Sequence, residues 1–249
     1  MKKQFQILAA TFITVAFISC SKEKMEMPET ITTGNEEIST SSSSNRPYVD
    51  PLTIGLEGRF TFDKHLKDVS KQLPDGKQWP ASRFGVSYTT DRKGITNAAL
   101  KLDGNYYVYL TDVPQQIETS MSVWVKRSLN DVYEEIITPN GRGPALVQSN
   151  EKLRGYVFTS GVTPYVASED LNDQSWHHIV VTYDGTFVKL YVDGNLQGTS
   201  NYPQPFVDDL VYYRIGLTSY LHYWKGVIDD LRFYSRTLSA VDVQKLYNL

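Results

Sequence analysis

The chain contains one cysteine, Cys20, so no disulfide can form within it, and no Cys-x-x-Cys pair exists to hold zinc or run thiol redox chemistry. His-x-x-x-His, Gly-rich phosphate loops and serine-nucleophile triad signatures are missing as well, which removes the usual sequence marks of zinc hydrolases, nucleotide-binding proteins and triad hydrolases. The 25 Lys and Arg against 28 Asp and Glu give a formal charge of −3, and the basic residues never cluster. Nucleic acid is therefore excluded as a partner.

What is present begins with Lys2 and Lys3 ahead of an apolar run from Ile7 to Ile18. This is the pattern of an export signal and is too short to span a bilayer as a permanent helix. Cys20 follows Phe17-Ile-Ser19, and the junction resembles a bacterial lipoprotein cleavage site, with Phe17 where Leu is usual. The resemblance implies residues 1–20 as a lipoprotein signal and Cys20 as the lipidated residue; ordinary secretion with an incidental cysteine is the alternative. Loss of Lys2 and Lys3 makes the mature charge more acidic. Residues 21–50 are rich in Ser, Thr and Glu and cannot bury enough apolar surface to offset their conformational entropy. They read as a tether that holds the following domain roughly 30 Å from its anchor. The expected location is the bacterial outer membrane, facing the cell exterior, with the periplasmic face as the alternative.

Beyond residue 50 the pattern changes to short alternating runs broken by turn residues. Asp184-Gly185 and Asp193-Gly194 each separate runs rich in Val, Ile, Tyr and Thr, which predicts two hairpins with positive φ at both turn positions. Within Val188-Lys-Leu-Tyr-Val192, alternation sends Val188, Leu190 and Val192 to a packed face and leaves Lys189 and Tyr191 on a face open to solvent. Strands are predicted near 56–63, 97–102, 105–110, 119–127, 133–138, 145–149, 154–159, 176–183, 186–192, 195–199, 212–216 and 224–234. Only Ser239 to Asn248 carries a helical signal, with Ser239 as N-cap, Asp242 closing a capping box, and Leu238 meeting Val243. Val243, Leu246 and Tyr247 are expected to hold this short helix against the sheets.

The order of these motifs is similar to that of laminin-G-like, concanavalin A-like sandwich domains. The carriers are Trp176-His-His, Tyr191-Val-Asp-Gly194, Val227-Ile-Asp-Asp230 and the closing Arg236-Thr-Leu-Ser-Ala240, with Asn97-Ala-Ala-Leu-Lys-Leu-Asp-Gly104 and Ser122-Val-Trp-Val125 upstream. The expected fold is all-β, a two-sheet antiparallel jelly-roll sandwich over residues 51–249 with a short C-terminal helix. The family shares a scaffold and not one reaction, so function has to come from a site.

Laminarinase-like relatives carry Glu-x-Asp-x-x-Glu on one strand, and no Glu-x-Asp occurs here. The domain's glutamates are Glu57, Glu118, Glu134, Glu135, Glu151 and Glu169, and the adjacent Glu134 and Glu135 point to opposite faces when extended. His177 and His178 likewise diverge, and His65 and His222 stand alone. Alternation places Asp229 on the apolar face with Val227, Leu231 and Phe233, where a carboxylate needs a partner. Similar sandwich proteins hold a structural Ca²⁺ at this aspartate, which implies Asp229 and Asp63 as its oxygen ligands. Hydrogen bonds from backbone amides or an arginine are the alternative.

Sugars need a platform of rings with polar groups at its edge. Trp124, Trp176 and Trp224 resemble the family's core aromatic positions. Trp79, in the expected loop Gly76-Lys-Gln-Trp-Pro80, and Tyr220, His222 and Tyr223 before Trp224 are the candidate ligand-binding residues, with Tyr106, Tyr107 and Tyr109 as a further group in which Tyr107 and Tyr109 share a packed face. The expected function is noncatalytic binding of extracellular polysaccharide or glycoconjugate by a lipid-anchored surface protein. An adhesion or assembly module that binds an extracellular protein is the second reading, and a glycoside hydrolase the third.

Overall fold

The computed structural model describes residues 49–79, 86–127, 134–149, 152–158, 164–171, 173–203, 209–217 and 223–249, all within the unit Pro47–Leu249. The chain enters through a 3₁₀ turn, η1 (Pro51–Thr53), capped by the Asp50 carboxylate, which accepts the Leu52 amide at 3.0 Å. The strands follow as β1 (Leu56–Phe60), β2 (Lys77–Trp79), β3 (Ser87–Thr89), β4 (Ala99–Asp103), β5 (Tyr107–Gln115), β6 (Thr119–Arg127), β7 (Glu134–Pro139) and β8 (Gly143–Ser149). After them come β9 (Lys152–Phe158), β10 (Tyr165–Ala167), β11 (His177–Tyr183), β12 (Phe187–Val192), β13 (Asn195–Asn201), β14 (Asp209–Ile215) and β15 (Lys225–Tyr234), then α1 (Ala240–Tyr247).

These strands form two antiparallel sheets. The first runs β13-β12-β11-β6-β15-β4-β3, with β1 also paired to β15; the second runs β10-β9-β8-β7-β14-β5-β2. The jelly-roll sandwich with its closing helix is thus the architecture observed. Side chains from the two inner faces meet in one core that includes Phe60, Leu100, Val123, Ile179, Leu190, Tyr213, Trp224 and Phe233. Burial of such residues is the main favourable term in folding.

The meander β11-β12-β13 forms as expected, but its two turns differ. Asp193 and Gly194 both have positive φ, 49° and 80°. At the other turn only Gly185 does, because the Asp184 carboxylate takes over the local bonding, accepting the amides of Thr186 at 2.9 Å and Phe187 at 2.7 Å. Tyr191 is also not on an open face. It is buried beneath α1 in a second cluster with Leu52, Val180, Tyr234, Leu238, Val243 and Leu246, on the outer side of the first sheet. The capping box forms: the Ser239 hydroxyl accepts the Asp242 amide at 3.2 Å, and the Asp242 carboxylate accepts the Ser239 amide at 3.1 Å. Three short strands, β2, β3 and β10, fall outside the predicted set because three residues are too few to show alternation.

The adjacent histidines have opposite electrostatic fates. His178 is buried, and desolvation pushes its imidazole down to about 4. His177 bridges Asp193, 2.7 Å from its Nδ1, and Asp173, 2.9 Å from its Nε2. The hydrogen bond to Asp193 leads in raising its value, with burial opposing. For His177 the folded value lies above the unfolded 6.5, so its stabilisation is complete below pH 6.5 and disappears as pH rises through the folded value. For His178 the folded value is depressed, so stability falls as pH drops from 6.5 toward 4. Urea unfolding should therefore show stability falling above pH 6.5 as His177 loses its proton, whereas between pH 4 and 6 the loss from His178 is opposed by Asp229, whose folded carboxyl is raised to about 6. His177→Gln should flatten that alkaline fall and leave the profile below pH 6 in place.

Candidate functional site

β5 and β14 lie side by side near one border of the second sheet, and β2 is the border strand. Alternation sends Val108, Leu110 and Val113 of β5, and Val211, Tyr213 and Ile215 of β14, into the core. Tyr107, Tyr109 and Thr111 are therefore turned to the outer face together with Tyr212 and Arg214. The register shifts between Val211 and Tyr213, opposite Asp112, whose φ is 61°. An extra residue at such a bulge bends and twists the pair. The result is a groove of about 560 Å³ lined by Trp79, Tyr107, Tyr109, Thr111, Tyr212, Arg214 and Leu217.

Trp79 lies not in a loop but at the end of β2, directly opposite Tyr107, and it is 54% exposed. Tyr223 bridges to Leu217, and its ring centroid is 6.4 Å from that of Tyr107. Trp79 and Tyr223 thus both border Tyr107. Tyr220 and His222 lie outside the described residues, as does Cys20. Tyr107 and Tyr109 do not pack in the core as expected; they are half-buried and form the middle of the groove. Burial is the first cause raising the Tyr107 phenol above its ordinary value, helped by Tyr223 and opposed by the Arg214 charge. Tyr106 is the buried member of the trio, its hydroxyl bonded to the Lys101 carbonyl and accepting the Ser87 amide at 3.0 Å. Arg214 and Tyr212 are absent from the sequence-derived site, although Val211-Tyr-Tyr-Arg-Ile215 alternates plainly enough to reveal them.

Among the remaining tryptophans, Trp224 is fully buried and donates its indole N–H to Gln148 Oε1 at 3.3 Å. Trp124 and Trp176 are half-buried. Trp124 stacks on Tyr247 at 5.7 Å, and the Arg92 guanidinium lies 4.9 Å from its ring centroid.

Asp229 does not lie on the core face. Asp230 has φ of 45°, and the pairing of β15 with β6 shifts register between Asp229 and Arg232. One extra residue there leaves Ile228, Leu231 and Phe233 in the core and turns both aspartates out of it. They remain buried in a cleft of about 160 Å³ that Asp63, Asp91, Arg59 and Arg92 also line. Arg92 pairs with Asp229, while Asp230 accepts Arg232 at 2.8 Å and Arg59 at 3.0 Å. Desolvation raises the Asp229 carboxyl to about 6, with Arg92 working against the rise. Asp63 is exposed at the rim of this cleft. A Ca²⁺ at Asp229 would have to compete with Arg92 for the same carboxylate, and no group of three or more His, Cys, Asp or Glu among the described residues has metal-holding geometry.

Ser122 Oγ is 2.9 Å from His178 Nε2, the spacing of a nucleophile and its base. Both are buried, the His178 ring lies 5.2 Å from Trp124 and 6.2 Å from Tyr247, and Nδ1 has no hydrogen-bond partner. The pair therefore serves packing.

Residues 102–244 match the family profile described as the Concanavalin A-like lectin/glucanases superfamily. No curated protein sequence matches the chain. Among solved structures, domain 4 of AbnA, a GH43 extracellular arabinanase from Geobacillus stearothermophilus in complex with arabinotriose, is similar with a TM-score of 0.64 and 20% identity over 77% of this chain and 98% of that one. The ligand-binding domain of botulinum neurotoxin serotype D, in complex with N-acetylneuraminic acid, gives a TM-score of 0.60 and 16% identity over 78% of this chain and 50% of that one. The binding domain of Paraclostridial Mosquitocidal Protein 1 gives 0.61 and 14% over 78% and 52%. The chain thus spans about half the length of the two toxin domains, and at these identities the likeness shows the fold alone. The profile match extends over more than half of the sequence, from β4 to α1, and the chain belongs to the concanavalin A-like lectin/glucanases superfamily.

Proposed function

We propose that the chain is a noncatalytic binding protein that holds extracellular polysaccharide or glycoconjugate in the groove of β2, β5 and β14. The carrying observation is the continuous row of rings, Trp79, Tyr107 and Tyr223, with Tyr109 beside it, over a groove with no carboxylate among its lining residues. The C–H face of a sugar stacks on such rings, while the Tyr hydroxyls, Thr111 and Arg214 offer partners for its hydroxyl groups. A glycosidase of either stereochemistry needs two carboxyl groups across the scissile bond, which this lining does not supply. The arabinotriose and N-acetylneuraminic acid named with two of the structural neighbours support a glycan ligand for the fold.

In this reading Cys20 carries lipid at the bacterial outer membrane and residues 21–50 hold the domain at the cell surface. The Asp229 cleft is a structural ion-pair cluster in which Arg92 supplies the positive charge that Ca²⁺ would otherwise bring.

Three measurements test these points. On a glycan array the wild-type chain should show binding, and titration with a selected oligosaccharide should show Trp79→Ala or Tyr223→Ala weakening affinity about three- to tenfold. Ile54→Ala, exposed and not lining the groove, should leave it unchanged; full affinity in both aromatic variants, or reducing-sugar release by the wild type, would remove the reading. Thermal unfolding should be the same in EDTA and in millimolar CaCl₂, a rise with calcium counting against the ion-pair assignment. Cys20→Ala should move the protein from the membrane fraction to the soluble fraction of the cells that make it.

A further inference from the structure

The groove has a charge pattern that ring stacking alone does not explain. Arg214 is half-buried at its floor, and among the described residues it forms neither an ion pair nor a side-chain hydrogen bond, its Nε being buried without a partner. It lies directly across the β5–β14 pair from Tyr109, and Lys77 lies directly across from Tyr109 on the other side, in β2. Residues opposite one another in antiparallel strands project from the same face. The row is therefore cation, aromatic ring, cation. Lys77 is exposed and also makes no ion pair among the described residues.

Among the described residues no carboxylate forms an ion pair with either cation. Glu135, on the strand beyond β14, accepts the Thr138 hydroxyl at 3.3 Å and makes no ion pair with Arg214. The chain following Trp79, residues 80–85, and the chain between Leu217 and Tyr223, residues 218–222, contain Arg83 and His222 but no Asp or Glu. By contrast, the buried guanidiniums of Arg92 and Arg232 are matched by carboxylates. A neutral sugar seated on Tyr109 would strip water from Arg214 and give it no opposite charge, which costs free energy. A carboxylate or sulfate ester on that sugar would reverse the balance, because the planar guanidinium fork meets either anion in two parallel hydrogen bonds.

We infer that the groove recognises an acidic glycan, with a sugar ring stacked on Tyr109 and its anionic group held by Arg214, Lys77 adding longer-range attraction. This rests on the glycan-binding reading of the same groove and specifies its ligand class.

The test is calorimetric titration of the full chain, at 50 and 500 mM salt, with three probes of equal length. These are an oligogalacturonate, its carboxyl-reduced neutral counterpart, and a sulfated derivative of that neutral oligomer. The expected result is at least about tenfold tighter binding of an acidic probe than of the neutral one at low salt, reduced at high salt. Whichever acidic probe binds more tightly identifies the anion as carboxylate or sulfate. Arg214→Gln should lower affinity for the acidic probe at least about tenfold more than for the neutral one, erasing the acidic preference with the melting temperature unchanged, and Arg214→Lys should restore part of that preference. Equal binding of neutral and acidic probes, lost in Trp79→Ala, would overturn the acidic assignment and keep the groove. Failure of the wild type to bind any probe, together with a blank glycan array, would remove the groove itself, and equal loss of all probes in Arg214→Gln would make Arg214 a structural residue.

Discussion

The two-residue alternation of β5 and β14, interrupted only by the bulge at Asp112, is the constraint on which the site depends. Val108, Leu110 and Val113, with Val211, Tyr213 and Ile215, are locked into the core, and this leaves Tyr107, Tyr109, Tyr212 and Arg214 no face but the outer one. A slip of one residue in either strand would expose core residues, and in β14 it would also bury a guanidinium. The outward rings are thus held by packing on the far side of the sheet. Rigid presentation of this kind limits the ordering entropy that a ligand must overcome.

Among the described residues alternation breaks at five register shifts, and at two of them, beside Asp112 and Asp230, a non-glycine residue has positive φ. Such residues are uncommon and carry strain that surrounding structure has to offset. At Asp230 the compensation is visible, since the extra residue turns two carboxylates toward Arg59, Arg92 and Arg232, which hold them by charge-assisted hydrogen bonds. Arg92 also lies over Trp124, which stacks on Tyr247 of α1, so this ionic cluster connects the centre of the first sheet to the closing helix. At Asp112 the side chain is exposed, and the bulge instead shapes the border of the second sheet where Thr111 and Tyr212 meet the groove.

Much of the fold was legible because its longer strands advertise themselves through alternation and its helix through a capping box read directly from Ser239 and Asp242. The site was only partly legible. Trp79 and Tyr223 stood out as aromatics without a core role, but joining them required Tyr107, and its outward orientation depends on Val108 and Leu110 packing against the opposite sheet. The Trp79 strand was invisible because three residues cannot display a period, and its partner β5 lies some thirty residues away in sequence. Asp229 was assigned to the wrong face because a bulge cancels alternation locally, and nothing in Val227-Ile-Asp-Asp-Leu-Arg-Phe233 marks where the extra residue falls.

Among the described residues the closing helix covers the outer side of the first sheet and leaves the groove of the second uncovered. Short and unable to persist alone, α1 needs an apolar surface, and it finds one in Val180, Tyr191 and Tyr234 on the outer side of the first sheet, with Leu52 of η1 completing the cluster. The chain therefore enters and ends on that side. The outer face of the second sheet has no such requirement at β2, β5 and β14, so its residues can be chosen for contact with something other than the protein. Large aromatic side chains and unmatched cations left half-exposed there do little for folding, since exposed rings gain little from burial and unpaired charge gains nothing from the core. On the proposed reading, their grouping beside β2, β5 and β14 is what stacking and charge recognition of a glycan require.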